Sequence, residues 1–134
     1  MELIEWSEKF SVGHMLMDTH HKVFFEMVKE FSELPNKGNH EAIKERITFL
    51  AEYAAMHLEA EEKLMLHAGY PEYGKHKAVH DAFTREVLSI QESFDKNQAT
   101  ITSDDILKLI QDWLVNHIMG DDMLYRPYVQ KLRD

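Results

Sequence analysis

Cysteine is absent from the 134 residues, which excludes disulfides, zinc–thiolate sites, iron–sulfur clusters and thiol nucleophiles. Any metal must therefore be held by His, Asp or Glu. Basic residues are few, 15 against 24 acidic, and no Lys/Arg cluster offsets the formal charge of −9. Such a surface repels phosphate backbones and anionic lipid, so nucleic acid is excluded as a partner. Long apolar runs are missing as well. No stretch approaches the roughly 20 residues of a membrane span, and the opening MELIEWSEKF carries glutamates ahead of its first lysine in place of an apolar signal-peptide core. These absences predict a cytoplasmic protein without membrane insertion. With five Gly and three Pro the chain has few helix breakers and should be mostly helix, in one domain over residues 1–134. Nine His and eight Met are its compositional excess.

Helical periodicity organises the chain after an N-terminal arm of about residues 1–17. Met17, His21, Phe24, Phe25, Val28 and Phe31 form a stripe on a helix over about 18–35, which stops at LPNKGN. A second helix, about 39–68 with Asn39 as N-cap, carries Ile43, Ile47, Leu50, Ala54, His57, Glu61, Leu64, Met65 and Ala68 inward, and Gly69 and Pro71 end it. A third, about 73–95, carries His76, Val79, His80, Phe83, Val87, Ile90 and Phe94. The fourth, about 103–119 with Ser103 as N-cap, carries Ile106, Leu109, Ile110, Trp113, Leu114, His117 and Ile118, and a short C-terminal helical piece follows. Four such stripes cannot be buried separately. The expected fold is all-α, an up-down-up-down antiparallel four-helix bundle.

The stretch GKHKAVHDAF places His76 and His80 one helical turn apart on an apolar face. One buried histidine is commonly satisfied by a backbone carbonyl and means little. Here the anomaly recurs on every helix, with His57 and Glu61 at i, i+4 on the second, His21 on the first and His117 on the fourth. Burying an ionised Glu61 without a partner costs several kcal/mol, roughly, and no Lys or Arg lies on the facing stripes. The missing cation is a metal ion. Asp122 stands five residues after His117, about 140° round an ideal helix, so it joins the same centre only through a π-type bulge or looser turn near Met119–Gly120. Two octahedral ions offer about twelve positions. Five imidazoles, two bridging carboxylates and a bridging hydroxide or oxide leave one position open to a small exogenous molecule.

The motifs WSEKFSVG at 6–13, DTHHK at 18–22, HLEAEE at 57–62, HKAVH at 76–80 and WLVNHIMGDD at 113–122 together resemble those of the bacterial hemerythrins, non-haem di-iron proteins that bind dioxygen. The resemblance covers nearly the whole chain. It implies that Glu61 and Asp122 bridge two iron ions (Fe2+/Fe3+), that His76, His80 and His117 complete one, and that His21 and His57 hold the other, which keeps the open position. It also implies an O2 pocket walled by Leu58, Trp113, Leu114 and Ile118. The expected function is reversible dioxygen binding for storage, transport or scavenging by a monomer that is not an enzyme. The alternatives are an O2-sensing module, which would need an O2-consuming or signalling protein as partner, and a di-iron oxidase or peroxidase.

Two positions depart from the family pattern, Leu58 where Phe is usual and His20 where Gln is usual. Periodicity does not separate His20 from His21, and the D-x-x-H spacing from Asp18 selects His21. His14, His40 and His67 match no family position and are expected at the surface. No Glu stands three residues before any histidine, as carboxylate-rich di-iron oxidases require, and no H-E-x-x-H zinc motif is present.

Overall fold

A computed structural model describes residues 3–34, 40–96 and 101–132. A 3-10 turn, Glu8–Phe10, precedes α1 (Met15–Glu33), α2 (His40–Ala68), α3 (Tyr73–Lys96) and α4 (Ser103–Trp113). A π-helical segment, Leu114–Asp121, then leads without a break into α5 (Asp122–Gln130). Together they form a four-helix bundle, with α2 packed along α3 and α1 along α4. No strand occurs among the described residues, and no helix among them is long and apolar enough to cross a membrane.

The helix ends follow local chemistry. α1 starts three residues before the expected 18, because the His14 ring caps it by accepting the Met17 N–H at 3.3 Å. His14 is accordingly half-buried, whereas His40 and His67 are exposed as expected. Asp18, in the first turn of α1, accepts the Ser11 hydroxyl at 2.6 Å and the Val12 N–H at 2.9 Å. The arm is thereby tied to the bundle, with Phe10 set against Phe25 at 5.2 Å between ring centroids. Gly13, at φ 77°, makes the turn, and a Cβ there would lie 2.6 Å from Gln130 Nε2.

At the far end of α2, Gly69 takes φ 70°, its N–H reaches Leu66 O at 3.2 Å, and Tyr70 N–H reaches Met65 O at 3.0 Å. These bonds form a Schellman stop, as Gly69 and Pro71 predict. α4 corrects one expectation: its N-cap is Thr102, whose hydroxyl accepts Asp105 N–H while Asp105 accepts Thr102 N–H. Ser103 is the first helical residue and donates to Leu34 O at 3.1 Å. Asn39 lies outside the described residues.

The buried apolar side chains fall into two clusters. The larger runs through all four long helices and contains Phe24, Leu50, Leu58, Phe83, Ile110 and Ile118. The smaller gathers Val12, Met17, Met65, Tyr70, Tyr125 and Val129. The inward polar residues separate them, His21 between Met17 and Phe24 on α1, and Glu61 between Leu58 and Met65 on α2. Leu64, Ala68, Ile90 and Leu109 are only half-buried at the edges of their predicted stripes, and Val79 departs furthest. It is 37% exposed, because the buried row of α3 runs His76, His80, Phe83, Val87 and leaves Val79 on its flank.

Candidate metal centre

His21, His57, Glu61, His76, His80, His117 and Asp122 are all buried in one polar layer inside the bundle. α1 contributes His21, α2 the stacked pair His57 and Glu61, and α3 the stacked pair His76 and His80. The last two residues need the π-helical segment. Asp122 N–H donates to His117 O, an i to i−5 bond that widens the turn and places residues five apart on one face. The widening extends from Leu114 to Asp121, well beyond Met119–Gly120.

The two carboxylates divide the imidazoles between them. Glu61 Oε1 lies 3.1 Å from His76 Nε2 and 3.0 Å from His80 Nε2, with His117 Nε2 at 3.8 Å. Its other oxygen, Oε2, lies 3.1 Å from His21 Nε2 and 3.4 Å from His57 Nε2. Asp122 Oδ1 sits 2.8 Å from His76 Nε2 and 2.9 Å from His117 Nε2, while Oδ2 sits 3.2 Å from His21 Nε2. Each carboxylate thus turns one oxygen to each of two imidazole groups. The compartments are Glu61, His76, His80, His117 and Asp122 on one side and His21, His57 and Glu61 on the other.

Protein hydrogen bonds do not satisfy this layer. Both Asp122 oxygens and His57 Nε2 are buried without a hydrogen-bond partner among the described residues, since the short approaches to Asp122 lack bonding direction. His80 Nε2 and His117 Nε2 also face each other at 3.0 Å. Buried carboxylate oxygens and ring nitrogens that converge in this way match the donor set of a metal centre, and the residues present fit one.

Partners on the outer ring nitrogens aim the inner ones. His80 Nδ1 meets Glu62 Oε2 at 2.9 Å and His117 Nδ1 meets Asp121 Oδ2 at 3.0 Å. A proton held on Nδ1 by a carboxylate leaves the Nε2 lone pair pointing inward. His57 Nδ1 meets His20 Nδ1 at 2.9 Å. His20 is buried but stands behind His57, so His21 faces the centre and His20 does not. Tyr125 donates its phenolic O–H to Glu61 Oε2 at 2.9 Å. Glu62, Asp121 and Tyr125 are the contributors that periodicity missed. Only their adjacency to Glu61 and Asp122, and the i, i+4 step from His117 to Asp121, hinted at them.

Without a metal ion the layer gathers protons instead. Burial lowers the His21 and His117 pKa values, but Asp122 and Glu61 overcome this and raise them to about 9 and about 10. His76 is raised by the same pair against its own burial. Burial pushes Glu61 up, yet the charge of His57 and the adjacent His117 and His21 imidazoles hold it well below the usual carboxylate range. Asp122 is pushed up by burial and Glu61 and held low by His117 and His21. Burial, then Glu61 and Asp122, push the Tyr125 phenol well above its ordinary value, so it stays a donor. Burial and the neighbouring His57 lower His20.

The residues expected to wall a pocket are buried around this layer. Leu114 and Ile118 are fully enclosed and Leu58 is nearly so. Trp113 stacks on His117 at 4.0 Å and on Phe83 at 3.9 Å, and all three line a 510 Å³ surface crevice along α3 and α4.

Residues 13–129 match the hemerythrin HHE cation-binding domain. The chain is 33% identical over 128 residues to a bacteriohemerythrin of Methylococcus capsulatus, covering 95% of this chain and 97% of that protein. It is 30% identical to a hemerythrin-like protein of Naegleria gruberi, over 90% of this chain and 89% of that one. Among solved structures, wild-type hemerythrin superposes with a TM-score of 0.88 at 32% identity, covering 96% of this chain and 99% of that chain. With that match spanning nearly all of its helices and its buried His and carboxylate layer, the chain belongs to the hemerythrin family.

Proposed function

We propose that this protein holds two iron ions in the polar layer and binds dioxygen reversibly, to store, carry or scavenge it in the cytoplasm as a monomer. The observation that carries the reading is the division of Glu61 and Asp122, each with one oxygen toward each imidazole group. That arrangement suits two bridged ions and overfills one. Glu61 and Asp122 would be shared between the ions, with His76, His80 and His117 completing the ligands of one and His21 and His57 those of the other. With a hydroxide or oxide between them, such a pair would supply reversible two-electron chemistry toward dioxygen. The chain's own residues do the rest. Glu62 and Asp121 orient His80 and His117, and Tyr125 holds the Oε2 side of Glu61. Leu58, Trp113, Leu114 and Ile118 exclude water and anions from the open position, which slows loss of the bound gas and oxidation of the centre.

The test is anaerobic reconstitution with ferrous iron, metal analysis, then exposure to air followed by argon. Two irons per chain and a visible spectrum that appears in air and fades under argon are expected. One iron per chain, a preference for zinc, or O2 uptake that argon does not reverse would overturn the reading, and the last result would favour an oxidase.

A further inference from the structure

The outer ring nitrogens of the inward histidines have unequal partners. His80 and His117 are backed by carboxylates, Glu62 at 2.9 Å and Asp121 at 3.0 Å, whereas His57 is backed by another imidazole, His20, at 2.9 Å. Two ring nitrogens at that distance share a single proton, so one donates and the other accepts. His57 Nε2 faces the centre, 3.4 Å from Glu61 Oε2. As a metal ligand that nitrogen would carry no proton, which puts the shared proton on His57 Nδ1 and makes His20 Nδ1 the acceptor, with the other His20 proton on Nε2.

His20 is held for this task. It is 8% exposed, its ring lies edge-on to His57 at 5.1 Å and to Tyr53 at 6.0 Å, and its carbonyl accepts the Tyr53 O–H at 3.3 Å. A charged acceptor draws the Nδ1 proton outward and makes an imidazole more electron-donating at Nε2, and a neutral acceptor does so less.

We propose that His20 is a positioning residue that fixes the tautomer and ring plane of His57 through a neutral Nδ1 acceptor, and thereby keeps the His21/His57 compartment less electron-donating than the other, in which carboxylates back His80 and His117. The inference rests on the di-iron reading for its redox consequence, and on metal ligation by His57 Nε2 for the direction of the His20–His57 hydrogen bond. An ion held in the less donating compartment would be the easier of the two to reduce. The residue that would change this order is a carboxylate at position 20.

The test compares wild type with His20→Gln, His20→Leu and His20→Glu. In the zinc-loaded protein, ring 15N–1H correlations should show the proton on His57 Nδ1 and an unprotonated His20 Nδ1. The opposite polarity would overturn the inference whatever the iron content. In the iron-loaded proteins, His20→Leu should speed iron release to a chelator about tenfold or more, the usual cost of losing a partner behind a ligand. His20→Gln, whose side-chain carbonyl can accept the same proton, should restore most of this. His20→Glu should retain iron and lower the first midpoint potential, titrated with dithionite, by about 59 mV or more, a tenfold change in the reduction equilibrium. A merely structural role predicts that Gln and Leu are equally impaired and that Glu leaves the potential unmoved, and that pattern would sink the proposal. Wild type holding fewer than two irons would overturn the di-iron reading, while the ring-nitrogen result still decides the role of His20.

Discussion

Metal binding at this centre must displace protons, and the structure says how many. His21 and His117 have pKa values of about 9 and about 10 in the metal-free protein, so both are cationic at pH 7. Each presents Nε2 to the centre, and a ligating Nε2 carries no proton. Glu61 and Asp122 are held low and bring none. Loading should therefore release at least two protons per chain at pH 7, with His76, also raised, adding to the count. Stripping the first two at pH 7 costs about 3 kcal/mol for His21 and about 4 kcal/mol for His117, from the distances of their pKa values above that pH. The apparent affinity should rise by about two decades per pH unit between pH 7 and 9 and more slowly above. Calorimetric titration with anaerobic ferrous iron, or zinc as a redox-inert substitute, in two non-coordinating buffers of different ionisation enthalpy reads the proton count directly. Release of fewer than one proton per chain at pH 7 would mean that these imidazoles are neutral in the metal-free protein and that the carboxylates do not control them.

The same pKa values predict the stability of the metal-free protein. Because His21 and His117 are raised above 6.5 on folding, the stability they contribute is complete below pH 6.5 and is lost as pH rises through about 9 and 10. The metal-free Tm should fall between pH 7 and 10 and the iron-loaded Tm should not; a flat metal-free profile would contradict the assignment. Tyr125→Phe removes the O–H held by fully buried Glu61. It should destabilise the metal-free protein in urea by about 2 kcal/mol, as loss of a hydrogen bond to a charged group does, and wild-type stability would show that the bond is not formed. His21→Ala should abolish O2 binding with loss of iron, while His20→Ala weakens it, and the reverse order in an oxygen titration would place the wrong neighbour at the centre. Leu114→Tyr brings a phenol into the apolar wall beside His117, at a packing cost of about 1–3 kcal/mol. The variant should keep two irons but lose reversible O2 binding, and wild-type affinity and autoxidation would remove Leu114 from the wall.

The sequence alone determined the architecture and the need for a cation. Four stripes at helical spacing require partners for their apolar faces, and a bundle is the compact way to provide them. Glu61 and five histidines on those stripes, with no facing Lys or Arg, announced a metal centre, because a buried carboxylate without a counter-charge is too costly to persist. The Gly69–Pro71 stop was equally legible, since left-handed backbone at Gly is a local property. Other features depend on what lies across the bundle. Val79 and His80 are neighbours on α3, yet helix rotation leaves one on the flank and buries the other. Thr102 caps α4 because Ser103 is drawn to Leu34 O on a distant segment. His20 and His21 have similar apolar surroundings along the chain, and only the approach of α2 separates a nitrogen facing Glu61 from one behind His57. The π-helical turn was inferred from a misfit of five residues, but its extent from Leu114 to Asp121 shows only in the structure, where it brings His117 and Asp122 to the same compartment. Periodicity reports which face of a helix a residue occupies. Which atoms meet across that face depends on the rotation and offset of neighbouring helices, and those arise only when the four stripes pack together.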